Sequence, residues 1–165
     1  MFLVYGGDEE LVVKGYVDNS FDTDLDDSKS QTGCVFILNG GAVGWCNSKQ
    51  SIVPGSTCEA EYIAASEEAQ ERVWMKEFIS DLGVIPSASD PITMFCDNTC
   101  AIAIFKKTKH IKHRFNSIRN CFKDGDIKLC KVYMDLNMAD PLTKPLSRTK
   151  HDQHQDSMGV RFITM

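Results

Sequence analysis

The sequence has no long hydrophobic run. None of its apolar stretches approaches the roughly 20 residues that a membrane-spanning helix requires, so no membrane partner is expected. Met1 to Tyr5 is too short to read as a secretory signal. Excess positive charge is also missing. The net charge is −5, which argues against a general nucleic-acid coat protein, normally basic, but leaves room for a local basic track. There is no internal repeat, no low-complexity tract and no break that would mark a second domain. No serine or cysteine has a histidine partner in an interpretable nucleophile motif.

What is present fits one ordinary folded domain. With 165 residues, 42% of them hydrophobic and 25% charged, the chain can bury a core without disulfides or structural metal. It carries seven cysteines, an odd number, most of them inside apolar runs. They read as buried, reduced, small hydrophobes, which implies a reducing compartment.

Residues 11–17, 33–38 and 42–48 read as three antiparallel strands, the last two joined by the hairpin signal Asn39-Gly40-Gly41. At Ser56 the texture turns helical. Glu59 follows three residues later, as in a capping box, and Ala60, Ile63, Ala64, Val73, Trp74, Phe78 and Leu82 recur at helical spacing as far as Gly83. Residues 92–96 form a short apolar strand of the parallel, buried kind. Thr99 to Phe105 begins a helix, 108–122 gives another, and 127–134 alternates as a fifth strand. Asn137 to Leu142 is expected to open a last helix. The order β-β-β-α-β-α-α-β-α implies a mixed sheet. Trp45, Trp74, Phe36, Phe78 and Phe95 fall on apolar periodic faces and are expected in the core. His151 and His154 are expected in solvent.

Four carboxylates stand where elements end or begin. Asp18 closes the first strand, Glu61 lies in the first turns of the long helix, Asp97 closes the fourth strand, and Asp140 starts the last helix. Function in open sheets gathers at strand carboxyl ends and neighbouring helix starts. The first and fourth strands are natural central neighbours, which would set Asp18 beside Asp97. Such a cluster is costly unless cations neutralise it, and hard oxygen ligands suit Mg²⁺ or Mn²⁺. Two such ions about 3.5–4 Å apart can hold an in-line displacement at phosphorus. Taken singly, each of these residues is as readily a turn, cap or helix-dipole residue.

Lys106, Lys107, Lys109, Lys112, Arg114 and Arg119 crowd one short segment of this acidic chain. They read either as a solvated helix face or as contacts to nucleic-acid phosphates. Cys96, Cys100, His110 and His113 suggest zinc at first sight, but the gap between the pairs is too short and the histidines are one residue too close.

Five blocks carry a resemblance. KGYVDNSFDTDLDDSKSQTGCVFILNGGAVGWCNSKQ, STCEAEYIAASEEAQERVWMKEF, FCDNTCAIAI, KHIKHRFNSIR and NMADPLTKPL, in that order and over nearly the whole chain, resemble the ribonuclease H domain of copia-type retrotransposon Pol polyproteins. The resemblance implies an α/β, ribonuclease H-like fold, a five-stranded mixed sheet with helices on both faces. It places that domain at 1–146, with 147–165 as the C-terminal tail of the polyprotein. It implies hydrolysis of the RNA strand of an RNA–DNA hybrid by two Mg²⁺ ions, or Mn²⁺, with Asp18, Glu61, Asp97 and Asp140 as catalytic metal ligands. Glu59 is a second choice in the same turn as Glu61. It tips the basic segment toward substrate binding. Its implied partner in a complete element is a reverse transcriptase domain, which this chain lacks. Its implied location is intracellular, cytoplasmic in a virus-like particle or nuclear. The histidine that assists product release in some ribonucleases H has no counterpart in the link from Tyr133 to Asn137.

The resemblance also implies a longer segment than the Phe105-Lys106-Lys107 that separates Ile104 from Thr108, and with it the expectation that hybrid binding outlasts catalysis. Two other readings fit the same pattern: a remnant that binds nucleic acid without cutting it, and an integrase- or transposase-like nuclease. Members of the latter fold usually end their acidic set with a late glutamate, where this chain has Asp140.

Overall fold

Alternating apolar residues lay the first half of the chain into strands. In the computed structural model, which describes residues 1–6, 11–21, 29–51, 53–83, 90–107 and 125–162, a two-residue strand β1 (Phe2–Leu3) precedes β2 (Val13–Ser20), β3 (Gln31–Leu38) and β4 (Gly41–Lys49). Asn39 and Gly40 turn the β3–β4 hairpin with φ of 50° and 75°. Positive φ at both central residues matches the twist of the flanking strands. Helix α1 (Thr57–Leu82) follows, then β5 (Ile92–Cys96), α2 (Thr99–Lys107) and β6 (Ile127–Lys131). After two single turns of 3₁₀ helix, Met134–Leu136 and Asp140–Leu142, come α3 (Arg148–Ser157) and β7 (Val160–Arg161).

The main sheet has five strands in the order β4-β3-β2-β5-β6. β2, β3 and β4 pair antiparallel, while β5 runs parallel to both β2 and β6. The central pairing of β2 with β5 is the one expected from the sequence. Helix α1 is capped by Ser56 as the pattern predicts, its hydroxyl accepting from the Glu59 amide at 3.2 Å, while Glu59 Oε2 accepts from the Gly55 amide at 2.8 Å, one residue before the amide that a capping box engages. Glu59, the second choice for the site, is thereby occupied as a cap. Gly83 ends the helix in the left-handed conformation.

One face of the sheet packs on α1 and α2 through Val17, Ala64, Ala65, Met94, Cys96, Ala101, Ile102 and Ile127. Alanine along this side of α1 lets the helix come close to β2. The other face is covered by the C-terminal segment, whose Met138, Ala139, Leu142 and Met158 pack on Tyr16, Val35 and Ile37. Gly33 makes this covering possible. A Cβ there would stand 2.7 Å from Thr143 Cγ2 and 2.8 Å from Leu142 Cβ.

Several expectations are corrected. Asn137 to Leu142 opens no helix beyond one 3₁₀ turn. Pro141 sits inside that turn, where a helix start tolerates it, but Pro145 removes the donor that a further turn would need, and the last helix starts at Arg148. His154 lies on that helix and is buried, and burial holds its imidazole below the ordinary range. Trp45, Trp74 and Phe78 are 63%, 58% and 47% exposed. Trp45 sits on the edge strand β4, and Trp74 stacks on Phe78 instead of on the sheet. Phe36 is in the core, and Phe95 stacks on Tyr16. Cys58 and Cys100 are joined in a disulfide and are not reduced thiols, because the first turns of α1 and α2 meet at one end of the sheet. Cys34 and Cys96 are buried and lie outside any disulfide, as expected. The helix expected at 108–122 lies outside the described residues.

The disulfide closes a loop across a sequence separation of 42. Chain entropy values such a crosslink at no more than about 4 kcal/mol. Reduction should therefore lower the denaturant midpoint of the native chain, and it should leave a Cys58→Ser/Cys100→Ser variant, already at the lower value, unmoved.

Candidate active site

The carboxyl ends of β2 and β5 lie side by side because the two strands are parallel neighbours. Each delivers an acidic residue there. Asp18, near the end of β2, is fully buried opposite Gly33 of β3. Asp97 directly follows β5. Asn98 then caps α2, its Oδ1 accepting from the amides of Cys100 at 2.9 Å and Ala101 at 3.1 Å. Glu61 comes from the second turn of α1 and is 5% exposed. Its Oε2 lies 3.8 Å from the Cys96 thiol, and the ligand atoms of Glu61, Cys96 and Asp97 are all within 4.8 Å of one another.

The fourth carboxylate arrives with the C-terminal segment. Asn137, fully buried, donates to the Val17 carbonyl at 2.9 Å and accepts from the Ala139 amide at 3.2 Å. Asn47 of β4 donates to the Leu142 carbonyl. These ties press the Asp140 turn onto β2 and β3. The Thr143 hydroxyl donates to Asp18 Oδ2, and Lys144 Nζ bridges Asp18 Oδ1 at 2.9 Å and Asp140 Oδ1 at 2.7 Å. The structure thus brings all four expected carboxylates to one end of the sheet. Glu61, Asp97 and Lys144 line an open cleft of about 540 Å³, and Asp18 and Asp140 join it through Lys144.

The electrostatics are those of buried acids whose charge Lys144 relieves only in part. Burial, then Asp18 and Asp97, pushes the Glu61 carboxyl up to about 9. Burial raises Asp18 against the opposing pull of Lys144 and Thr143, and it raises Asp97 despite Lys144. Burial, then Glu61, drives the Cys96 thiol upward, so it remains a neutral donor and a poor ligand for a hard ion. For Lys144, burial works against the charge, and the carboxylates of Asp18 and Asp140 outweigh it and hold the ammonium above its ordinary value.

This donor set fits divalent cations such as Mg²⁺ or Mn²⁺. It consists of carboxylate oxygens, Asp18, Glu61 and Asp140 are buried, and Asp18, Glu61 and Asp97 are raised in a way that added positive charge would reverse. Zinc at Cys96, Cys100, His110 and His113 is excluded on the cysteine side, since Cys100 is spent in the disulfide. Of the basic segment, Lys106 and Lys107 end α2, and their side chains lie outside the described set. Lys109, Lys112, Arg114 and Arg119 lie outside the described residues altogether.

Sequence reasoning missed the residues that hold the cluster: Gly33, Asn137, Thr143, Lys144 and Gln50. Gln50 is buried, and its Nε2 donates to the Ala60 carbonyl at 2.8 Å and to Thr32 Oγ1 at 3.0 Å, fixing α1 one residue before Glu61. Only Lys144 left a signal, four residues after Asp140.

A proton on Glu61 has a consequence for stability. The folded chain keeps that proton up to about 9, whereas the unfolded chain releases it near the ordinary carboxylate value. The contribution is complete below the ordinary value and is lost as pH rises toward 9. Metal-free protein should lose stability over that range. Glu61→Gln should flatten the loss, as read from thermal midpoints at a series of pH values; an unchanged slope would show that Glu61 is ionised in the fold.

No protein-family model matches the chain. In sequence it is 37% identical over 164 residues to the retrovirus-related Pol polyprotein from transposon TNT 1-94 of Nicotiana tabacum, covering 96% of this chain and 12% of that one. Identity to the polyprotein from transposon RE1 of Arabidopsis thaliana is 31% over 159 residues, covering 93% and 11%. The chain therefore spans little more than a tenth of the length of these relatives. In structure it is similar to LC11-RNase H1, isolated from compost by a metagenomic approach, with a TM-score of 0.58, 16% identity and coverage of 79% of this chain and 91% of that one. The same enzyme in complex with an RNA/DNA hybrid gives 0.56 at 15% identity, covering 79% and 92%. The N-terminal RNase H domain of rv2228c from Mycobacterium tuberculosis gives 0.53 at 12%, covering 90% and 99%. Over nearly its whole length the chain is similar to one short stretch of copia-type retrotransposon Pol polyproteins, and it is folded as a ribonuclease H-like domain.

Proposed function

We propose that the chain is a divalent-metal-dependent endonuclease that hydrolyses the RNA strand of RNA–DNA hybrids. The observation that carries this reading is the gathering of four carboxylates where β2 and β5 end side by side, three of them at most 5% exposed. Burial of that much like charge is hard to explain as a structural device, since it opposes folding. The hybrid bound to a structural neighbour supports the choice of substrate.

In this reading Asp18, Glu61, Asp97 and Asp140 hold two Mg²⁺ ions, or Mn²⁺. The bound ions supply Lewis-acid chemistry for in-line displacement at phosphorus by water. The protein's own part is positioning. Parallel β2 and β5 fix Asp18 against Asp97, the Gln50 and Ser56 contacts fix the start of α1 and so Glu61, and Asn137 fixes the Asp140 turn. The neutral Cys96 thiol steadies Glu61 without competing for a hard cation. Lys106, Lys107, Lys109, Lys112, Arg114 and Arg119 neutralise phosphates along the hybrid. In a longer polyprotein the working partner is a reverse transcriptase domain.

The test is cleavage of a labelled hybrid with Mg²⁺, with Mn²⁺ and with chelator. Asp97→Asn should reduce cleavage to background and leave the metal-free fold as stable as before or slightly more so, because one repelling charge is gone. Undiminished cleavage would remove Asp97 from the site. A chain that binds hybrid but never cuts it would be the non-cleaving remnant.

Hybrid affinity should fall steeply with salt. Replacing Lys112 and Arg114 by alanine should weaken binding to all sequences alike, and the log–log salt slope should drop by about 1 for each phosphate no longer neutralised. An unaltered slope would return these residues to a merely solvated face.

A further inference from the structure

The carboxylates do not share their environment equally. Asp18 has both oxygens engaged by protein, Oδ2 by the Thr143 hydroxyl and Oδ1 by Lys144 Nζ at 2.9 Å. The same ammonium takes Asp140 Oδ1 at 2.7 Å. Glu61 and Asp97 form no ion pair among the described residues, and the Glu61 contact is with a neutral thiol. The cluster therefore has one half already filled by a cation and one half without any.

We propose that Lys144 is a built-in counter-cation that competes with metal. It holds Asp18 to Asp140 in the ion-free protein and occupies the position between them, so a divalent ion can be seated there only when Lys144 leaves. Loading is then ordered: the first ion goes to the side of Glu61 and Asp97, and the second follows at Asp18 and Asp140. This rests on the reading of the four carboxylates as a divalent-cation site.

The geometry supplies a route for the displacement. Lys144 lines the open cleft, and its side chain is 30% exposed, so the ammonium can swing outward into water without unpacking the core. Its backbone is anchored separately, by the Lys144 amide donating to the Asp140 carbonyl at 3.1 Å. Only the flexible side chain has to move. Asp140 and Lys144 are four residues apart in one turn, so the competitor is carried by the same short segment as one of the ligands it covers. A pair of carboxylates that would otherwise repel across a dry interval is thereby kept assembled until an ion replaces the ammonium.

The test is a titration of the full chain with Mn²⁺ alone, followed by calorimetry and by the free-ion electron paramagnetic resonance signal, with thermal stability measured beside it. The native chain should bind one ion more tightly than a second. In Lys144→Met and in Lys144→Gln, the latter keeping a hydrogen-bond donor without the charge, the weaker site should tighten by about tenfold or more. Lys144→Arg should retain the native pattern. The ion-free Met and Gln variants should melt below the native chain, and Mn²⁺ should close that gap, because the ion takes over the role of the ammonium. Unchanged Mn²⁺ affinities in both variants would overturn the proposal while leaving the site itself in place. A stability loss that Mn²⁺ does not repair would overturn it too, as would weaker hybrid binding with unaltered Mn²⁺ affinity, the signature of a lysine that only touches phosphate. If neither the native chain nor any variant takes up Mn²⁺, the reading of the site falls and this proposal falls with it.

Discussion

Four carboxylates drawn out of water repel one another, and much of this protein is the means of keeping them together. Asp18 is fully buried, and Glu61 and Asp140 nearly so. Each is delivered by a different piece of scaffold: β2, α1, the β5–α2 junction and the C-terminal turn. No single element could hold them, since neighbours within one helix or strand would spread the charges along its length. The parallel pairing of β2 with β5 brings two of the carboxylates abreast. Alanines on α1 let the third approach, and the absence of a side chain at Gly33 lets the fourth lie down over the sheet.

The opposition between these charges is met in two ways. On one side, protons and polar contacts do the work: Glu61 keeps its proton to high pH and receives a thiol. On the other side, a fixed ammonium and a hydroxyl do it. Neither arrangement neutralises the whole cluster, and a demand for positive charge remains. The fold explains where the carboxylates are; their burial explains why an incoming cation would be welcome.

Much of this is legible in the sequence because the signals are local. Strand alternation, the Asn39-Gly40 turn, the Ser56–Glu59 cap and the four element-end carboxylates can all be read within a few residues of themselves. What is not legible depends on which distant segments meet. Cys58 and Cys100 pair because two helix starts converge, and nothing in either neighbourhood announces it. Asn137, Gln50 and Gly33 read as ordinary loop and strand residues until the segment that each meets is known. The last helix is expected too early because Asp140 looks like a helix start, whereas Pro145 confines that stretch to a single turn. Trp74 and Phe78 keep perfect helical spacing on a helix that carries them to solvent, since periodicity identifies a face and not what lies opposite it.

The Cys58–Cys100 bridge makes the two walls of the cleft mechanically unlike. Glu61 stands one turn beyond Cys58, and Asp97 three residues before Cys100, so the wall that carries them is a covalent frame whose width is set once. The facing wall carries Lys144, which follows the single 3₁₀ turn of Asp140–Leu142, a turn pinned by hydrogen bonds from Asn137 and Asn47 and by Thr143. One wall is thus tied by a covalent bond and the other by hydrogen bonds alone, so widening the cleft would break different interactions on its two sides.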